Sequence, residues 1–184
     1  MRIIAGELKG RRLSAPADNR IRPTSDKVKE ALFSIAAPYL EDSVVIDLFS
    51  GTGNLGLEAV SRGARRVFFG DKSRSSMDLI KKNIALCKVE DKCITYLGDW
   101  EQILKKISEP ADVIFLDPPY NDGLIENCIA KIDKHALLKD DGILIAEHGT
   151  NFTPPETIGT LLKVKEKKYG TTAVTIYKNQ TEEN

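Results

Sequence analysis

The chain has 184 residues, of which 41% are hydrophobic, and its 27 Lys and Arg residues balance 27 Asp and Glu residues. This length fits one domain with a sizeable core, and no apolar run approaches the roughly 20 residues that span a bilayer. Three cysteines without metal-type spacing (Cys87, Cys93 and Cys128) predict reduced thiols, no metal site and a cytoplasmic protein.

The charge is concentrated at the N-terminus. The first forty residues hold eight Lys or Arg and four acids, a net charge of +4, so the rest of the chain carries −4. Residues 2–4 and 12–14 are strand-like and flank a turn with Gly6 and Gly10, which predicts a basic hairpin. Such a segment fits either a solvated surface or contact with an anionic partner such as nucleic acid.

A helix follows the loop at residues 15–23. Thr24, Ser25 and Asp26 are competent N-caps, and the apolar periodicity predicts a helix that runs to about Ala37 and ends at Pro38.

Strands and helices alternate from Val44 onward. Strands are predicted at 44–46, 66–69, 93–97, 113–116 and 143–146, and helices at 55–62, 73–86, 100–107 and 124–132. This order predicts an α/β fold with βαβ crossovers and a mostly parallel sheet covered by helices on both faces. Strand-like stretches at 161–168 and 172–177 predict an antiparallel hairpin at one edge. We divide the chain into an N-terminal appendage at 1–40, an α/β domain at 41–178 and a polar tail at 179–184.

A glycine loop follows the first of these strands. Gly51, Gly53 and Gly56 satisfy Gly-x-Gly-x-x-Gly between a strand and a helix, and Asp71 ends the second strand 20 residues after Gly51. This is the layout of a nucleotide-cofactor site, in which the acid binds the ribose hydroxyls; a tight turn without a ligand is the alternative.

The residues around the loop distinguish between cofactors. Asp47 would oppose the diphosphate of a dinucleotide but suits the cationic end of S-adenosylmethionine, to which Phe49 would add a ring contact. An NAD-dependent oxidoreductase would fit the glycine spacing alone. Asp99 is expected to accept a hydrogen bond from the adenine amino group, with Trp100 packed against the ring. Their alternative roles are a helix N-cap and core packing.

Residues 113–120, Val-Ile-Phe-Leu-Asp-Pro-Pro-Tyr, predict a buried strand that stops at Asp117. Methylation of a nucleobase amine requires its nitrogen to become tetrahedral. Asp117 could accept one N–H and the Pro118 carbonyl another, while Tyr120 stacks on the base, so this segment predicts catalysis by orientation and electrostatic preorganisation. Asp117 or water would take the proton. A rigid turn without chemistry is the alternative.

Four stretches together resemble the RsmD family of 16S ribosomal RNA guanine-N2 methyltransferases. They are Arg2-Ile3-Ile4 with Gly6 and Gly10-Arg11, the pattern from Arg22 to Phe33, the glycine region from Asp47 to Gly63, and Asp117 to Tyr120. The resemblance covers nearly the whole chain. It implies a Rossmann-like class I methyltransferase fold with a seven-stranded sheet, and transfer of one methyl group from S-adenosylmethionine to N2 of a guanine.

The resemblance also implies roles for single residues. The expected cofactor contacts are Asp47, Phe49, Gly51, Gly53, Asp71 and Asp99, to which the sequence reasoning above adds Trp100, and the expected amine-holding residues are Asp117, Pro118 and Tyr120. The expected contacts to RNA phosphates are Arg2, Lys9, Arg11, Arg12 and Arg22. Arg22 and Asp26 could instead act as lid residues near the cofactor. His148 is given no role, since a strand-end histidine is more often structural.

The expected partner is 16S ribosomal RNA, either free or within an assembled or assembling 30S particle, and the expected state is a monomer. Two rival functions stay open. A DNA or other RNA amino-methyltransferase, acting on adenine-N6 or cytosine-N4, shares Asp-Pro-Pro-Tyr but would need a target-recognition region, and no obvious insertion supplies one. A non-catalytic RNA-binding module would not need the intact acids and glycines.

Overall fold

A computed structural model describes residues 1–16, 24–119 and 123–180. The strands of this described part are β1 (Val44–Leu48), β2 (Arg66–Asp71), β3 (Cys93–Leu97), β4 (Ala111–Leu116), β5 (Leu138–Gly149), β6 (Thr157–Ile158), β7 (Leu161–Tyr169) and β8 (Thr172–Asn179). Its helices are α1 (Asp26–Ala36), α2 (Asn54–Ser61), α3 (Arg74–Cys87), α4 (Trp100–Leu104) and α5 (Leu124–Lys134), with short 3₁₀ helices at Ala37–Tyr39 and Glu90–Lys92. None of these helices has the length and apolar character needed to cross a membrane.

All eight strands form one mixed sheet in the order β3-β2-β1-β4-β5-β8-β7-β6. The first five strands of this order pair in parallel, and β8, β7 and β6 continue the sheet with antiparallel pairing. From β1 the chain winds outward through β2 and β3, and then returns to place β4 on the other side of β1. This reversal leaves a crevice at the carboxyl ends of β1 and β4, which is where open α/β sheets bind ligands.

Two apolar layers cover the sheet. One face, with Val45, Phe69 and Phe115, packs against α1, α2 and α3. The other face, with Ile46 and Ile114, packs against α4 and α5. All five residues of β1 are buried, as expected for a central parallel strand covered on both faces.

The predicted α/β class, the mostly parallel sheet and the antiparallel C-terminal hairpin are confirmed. Ser25 caps α1, and its Oγ accepts a hydrogen bond from Val28 N–H at 3.3 Å. Two details differ from the prediction. The sheet has an eighth strand, β6, whose two residues are too few to show a periodic pattern. In addition, β5 begins at Leu138, five residues earlier than predicted, because Leu138 pairs with Ala111 before a register shift that separates this pair from the apolar run at 143–146.

The N-terminal hairpin closes through a single antiparallel bridge between Arg2 and Arg12, in place of two regular strands. Ile3 N–H donates to the Arg11 carbonyl at 3.0 Å, and Gly10 N–H donates to the Ile3 carbonyl at 2.8 Å. Ile3 is fully buried in the same apolar layer as α1 and α2. The predicted division at residue 40 therefore does not separate two hydrophobic cores.

Candidate active site

A cavity of about 820 Å³ opens at the carboxyl edge of the parallel strands. It is bordered by the ends of β1, β2, β4 and β5, the N-terminal end of α1 and the turn between β7 and β8. Its polar and aromatic lining includes Thr24, Ser25, Phe49, Asp71, Lys72, Asp99, Trp100, Asp117, Glu147, Tyr169, Thr171 and Thr172. Its size and mixed lining suit a small organic ligand.

The glycine loop turns sharply between β1 and α2. Phe49, Gly51 and Gly53 have φ angles of 69°, 56° and 77°, and only the glycines adopt this left-handed region without strain. Phe49 and Gly51 line the cavity. Gly56 serves packing, because a Cβ at this position would lie 2.2 Å from Cε1 of Phe69. Its missing side chain lets α2 approach β2 closely.

Asp47 lies behind this loop. Its side chain is buried, and Oδ2 accepts a hydrogen bond from Gly56 N–H at 2.9 Å, in the first turn of α2. Burial raises the pKa of Asp47 to about 7, with the Gly56 hydrogen bond opposing the rise and the charges of Asp117 and Asp71 adding to it. The described lining includes neither Asp47 nor Gly53. A carboxylate therefore occupies the helix N-terminus at which a dinucleotide would place its pyrophosphate.

Asp71 connects the end of β2 with the glycine loop. Oδ2 accepts from Gly51 N–H at 2.9 Å and Oδ1 accepts from Ser73 N–H at 2.8 Å. The residue also lines the cavity. Each carboxylate oxygen can accept more than one hydrogen bond, so Asp71 has acceptor capacity left for ribose hydroxyls.

Asp99 and Trp100 begin α4 and line the cavity together. Asp99 is the N-cap of this helix, and its Oδ1 accepts from Glu101 N–H at 3.0 Å. Trp100 packs against the apolar layer formed with α4 and α5. The two structural roles that were the alternatives, a helix N-cap for Asp99 and core packing for Trp100, are therefore present. Both residues also line the cavity, where a ligand can contact them.

Asp117 and Pro118 directly follow β4 and form part of the cavity wall. Burial raises the pKa of Asp117 to about 6, so this carboxyl is ionised at neutral pH but is easier to protonate than an exposed aspartate. Pro118 is buried and Pro119 is exposed. Tyr120, the third predicted amine-holding residue, lies outside the described residues.

Several lining residues were missed by the sequence reasoning. Glu147 directly follows the predicted strand at 143–146, so its position was a usable signal. Tyr169, Gly170, Thr171 and Thr172 form the turn between β7 and β8. They reach the cavity because β8 runs antiparallel to β5, pairing Thr172 with Gly149 at the carboxyl edge. The first turn of α1 adds Thr24, Ser25 and Val28.

His148 is structural. It is buried, and its Nδ1 and Nε2 lie 2.8 Å from the Gly149 carbonyl oxygen and the Thr175 Oγ1, respectively. A neutral imidazole with a protonated Nδ1 satisfies both contacts, because the Thr175 hydroxyl can donate to Nε2.

The four basic residues of the hairpin, Arg2, Lys9, Arg11 and Arg12, are exposed and do not line the cavity. Nη1 of Arg11 donates to the Leu86 carbonyl at 2.6 Å, near the end of α3. Arg2 makes a long, exposed ion pair of 3.8 Å with Asp26. Arg22 lies outside the described residues. The hairpin therefore presents its positive charge to solvent. It lies beside α1, whose first turn borders the cavity.

The cysteines are not activated. All three are free, and burial raises the pKa of Cys93 and of Cys128 to about 12, which disfavours the nucleophilic thiolate. Within the described ranges, no group of three or more His, Cys, Asp or Glu side chains could hold a metal ion.

The carboxylates and the aromatic ring around the cavity fit S-adenosylmethionine. Asp71 and Asp99 offer carboxylates to the ribose and adenine ends, and Trp100 offers a flat apolar surface. The charges of Asp71 and Asp117 lie close enough to add to the raised pKa of Asp47, and the carboxylates gathered at this edge favour a cationic ligand.

Comparison with known proteins places the chain in a narrow group. The family model of conserved hypothetical protein 95 matches residues 1–178. YlbH of Bacillus subtilis is 37% identical over 183 residues, which cover 98% of this chain and 100% of YlbH. Ribosomal RNA small subunit methyltransferase D of Haemophilus influenzae is 33% identical over 182 residues, with 97% of this chain and 94% of the relative covered. The solved structure of Escherichia coli yhhF superimposes with a TM-score of 0.88 at 29% identity and 98% coverage of both chains.

Proposed function

The chain belongs to the conserved hypothetical protein 95 family, the RsmD family of methyltransferases, and we propose that it methylates N2 of one guanine in 16S ribosomal RNA with S-adenosylmethionine as the donor. The ribosomal RNA methyltransferase activity follows from relatives that match over nearly the full length. One structural observation supports the chemistry: Asp117 and Pro118 share a cavity with the glycine loop and Asp71.

The cavity has a cofactor half and an acceptor half. The cofactor half lies over β1, β2 and β3, where Gly51, Asp71 and Asp99 line it. The acceptor half lies over β4 and β5, where Asp117, Pro118 and Glu147 line it. The change of winding direction between β1 and β4 separates the halves, so a donor and an acceptor bound in them would meet at the ends of these two strands.

In the cofactor half, Asp71 would bind the ribose hydroxyls and Asp99 the adenine amino group, with Trp100 against the ring. When bound, S-adenosylmethionine supplies an electrophilic methyl group on a sulfonium. Asp47 would act from behind the glycine loop: it fixes the loop through Gly56 and contributes negative charge near the cationic end.

In the acceptor half, the Asp117 carboxylate would accept one N–H of the guanine amine and the Pro118 carbonyl the other. Both hydrogen bonds favour a tetrahedral nitrogen whose lone pair points toward the donor, which is catalysis by orientation and electrostatic preorganisation. Tyr120 would stack on the base. The nitrogen becomes acidic once methylated, so Asp117 or water can accept its proton.

The hairpin would position the RNA through its exposed basic residues Arg2, Lys9, Arg11 and Arg12. Arg22 is a further proposed phosphate contact. Phosphate contacts fix the register of a nucleic acid and carry no sequence information, so the choice of base must come from the cavity. We place the protein in the cytoplasm as a monomer, acting on free 16S ribosomal RNA or on a small-subunit particle.

A substrate comparison tests this function. The protein and labelled S-adenosylmethionine are incubated with small-subunit particles, naked ribosomal RNA and duplex DNA, and the modified nucleotide is mapped by mass spectrometry. We expect one N2-methylguanosine in 16S ribosomal RNA. Methylation of adenine or cytosine, or of DNA alone, would contradict the proposal, as would cofactor binding without any transfer.

A further inference from the structure

Glu147 and Asp117 lie at the carboxyl edge of the neighbouring parallel strands β5 and β4. Leu116 of β4 pairs with Ala146 of β5, so Asp117 and Glu147 are the next residues along the two strands at the carboxyl edge. Parallel strands lie about 4.8 Å apart, so the two side chains can reach adjacent atoms of one flat ligand. Both residues line the cavity.

The side-chain alternation of β5 places Glu147 on the face that is covered by α1 and α2. Residues two apart on a strand point to the same face, and Ile143 and Ile145 pack in that layer. The next residue, His148, faces the opposite side, where Gly149 and Thr175 satisfy its ring. Of the two polar residues at the end of β5, Glu147 is therefore the one that borders the acceptor half.

The turn between β7 and β8 adds to this wall. Glu147 pairs with Val174 of β8, and the turn before β8 brings Tyr169 and Thr172 to the cavity. Asp117, Glu147 and the turn thus all line the cavity next to the proposed position of the amine. A base held there would lie within reach of both carboxylates, because their strands are neighbours.

The hydrogen-bonding edges of the bases differ at the atom beside the amine. Guanine carries a donor, N1–H, directly next to its N2 amine. Adenine and cytosine carry a lone pair, on N1 and N3 respectively, next to their amines. A carboxylate accepts from the guanine donor but repels the lone pair of the other two bases, and leaving a buried acceptor unpaired is costly.

We propose that Glu147 selects guanine by accepting a hydrogen bond from N1–H, beside the amine held by Asp117 and Pro118. This inference rests on the proposed function and adds the source of its base specificity. Asp-Pro-Pro-Tyr holds an exocyclic amine of any base, whereas an acid at the end of β5 distinguishes among the bases that carry one.

Base analogues at the mapped target position test this role. 2,6-Diaminopurine keeps the N2 amine of guanine but has a lone pair on N1 in place of N1–H. We expect wild-type protein to prefer the guanine RNA over the diaminopurine RNA by about 10- to 100-fold in kcat/KM, as for one hydrogen bond to a charged group. The equilibrium affinity for the two RNAs, measured with S-adenosylhomocysteine present, should differ in the same direction.

The Glu147→Gln variant should lose most of this preference, because its amide can donate to the lone pair of diaminopurine as well as accept from guanine. Glu147→Asp keeps the carboxylate and should retain the preference at a lower rate. Glu90→Gln, an exposed acid between α3 and β3, is the matched control and should behave as wild type.

Two outcomes would overturn the inference while the proposed function stands. One is a wild-type protein that methylates guanine but accepts both RNAs equally, a measurement that does not depend on any variant folding. The other is a Glu147→Gln variant that binds cofactor normally and keeps the wild-type ratio. A wild-type protein that fails to methylate guanine in ribosomal RNA would instead overturn the proposed function.

Discussion

Nζ of Lys29 and Oε2 of Glu58 lie 2.9 Å apart, and both side chains are completely buried. Lys29 also donates to the Arg2 carbonyl at 2.7 Å and to Asn54 Oδ1 at 2.8 Å. Glu58 accepts backbone hydrogen bonds from Ile4 at 2.9 Å and Ala5 at 3.0 Å. The pair thus joins the hairpin, α1 and the helix after the glycine loop.

The pKa values of the pair reflect two opposing effects. Burial lowers the pKa of Lys29, which disfavours its charged form. Burial would raise the pKa of Glu58, but hydrogen bonds from Ile4 N–H and Lys29 lower it. The charged pair is therefore maintained by its hydrogen bonds, and the loss of either partner would leave an uncompensated buried charge.

Glu58→Ala should lower the free energy of unfolding by about 3–5 kcal/mol, because it leaves Lys29 buried without its counter-ion. Chemical denaturation monitored by circular dichroism measures the loss. Glu109→Ala is the control: Glu109 pairs with Arg65 and Arg66 near the surface, and such pairs contribute about 1 kcal/mol or less. Equal losses in the two variants would show that the buried pair has no special role.

Asp117→Ala should strongly reduce methyl transfer while leaving cofactor binding intact. Asp117 lies in the acceptor half, and removal of a preorganised hydrogen-bonding group at the reacting centre typically lowers kcat by about 10²–10³-fold. Calorimetry with S-adenosylmethionine and initial-rate assays separate the two effects. A variant with full activity, or with no cofactor binding, would contradict the assigned role. Asp47→Ala should give the opposite pattern, with cofactor binding lost.

The pH dependence of the rate should follow Asp117. The ionised carboxylate is the acceptor, and burial raises its pKa to about 6, so the rate should fall about tenfold per pH unit below pH 6 and level off above it. Single-turnover rates with saturating cofactor between pH 5 and 8 measure this profile. Asp47, with a pKa of about 7, could distort the curve, so Asp47→Asn is measured in parallel. A flat profile in both proteins would exclude Asp117 as the titrating acceptor.

Asp47→Asn should stabilise the cofactor-free protein at high pH. Burial raises the folded-state pKa of Asp47 to about 7, above the value of about 3.9 expected for an unfolded chain. The protonated form thus favours folding at low pH, and this contribution is lost as the pH rises through 7. The variant should exceed wild type by up to about 4 kcal/mol at pH 8, with the gap closing toward pH 4. Denaturant titrations at both pH values measure the gap, and a variant less stable at pH 8 would refute the argument.

Replacement of Arg11 and Arg12 by Ala should weaken RNA binding and reduce its salt dependence. Each lost phosphate contact lowers the slope of log K against log[salt] by about 0.7–0.9. Binding is measured by fluorescence anisotropy between low and moderate salt. The control replaces Arg65 and Arg66, which form ion pairs with Glu109. These two arginines lie at the start of β2, whereas the cavity lies at its other end. An unchanged slope in the hairpin variant would remove these arginines from the RNA surface.

The sequence by itself determined the α/β order and the positions of Asp71, Asp99, Asp117 and Pro118 at the cavity, because strand ends and glycine turns are local patterns. Tertiary structure alone decided three further features. Asp47 is held behind the loop because its carboxylate accepts a hydrogen bond from Gly56 N–H in the first turn of α2. The β7–β8 turn lies beside Glu147 at the cavity because β8 pairs antiparallel with β5. The hairpin is fixed to the cofactor-binding fold because Lys29 and Glu58 become partners only when three distant segments pack together. Contacts of this kind depend on which elements meet in space, and no spacing along the chain encodes them.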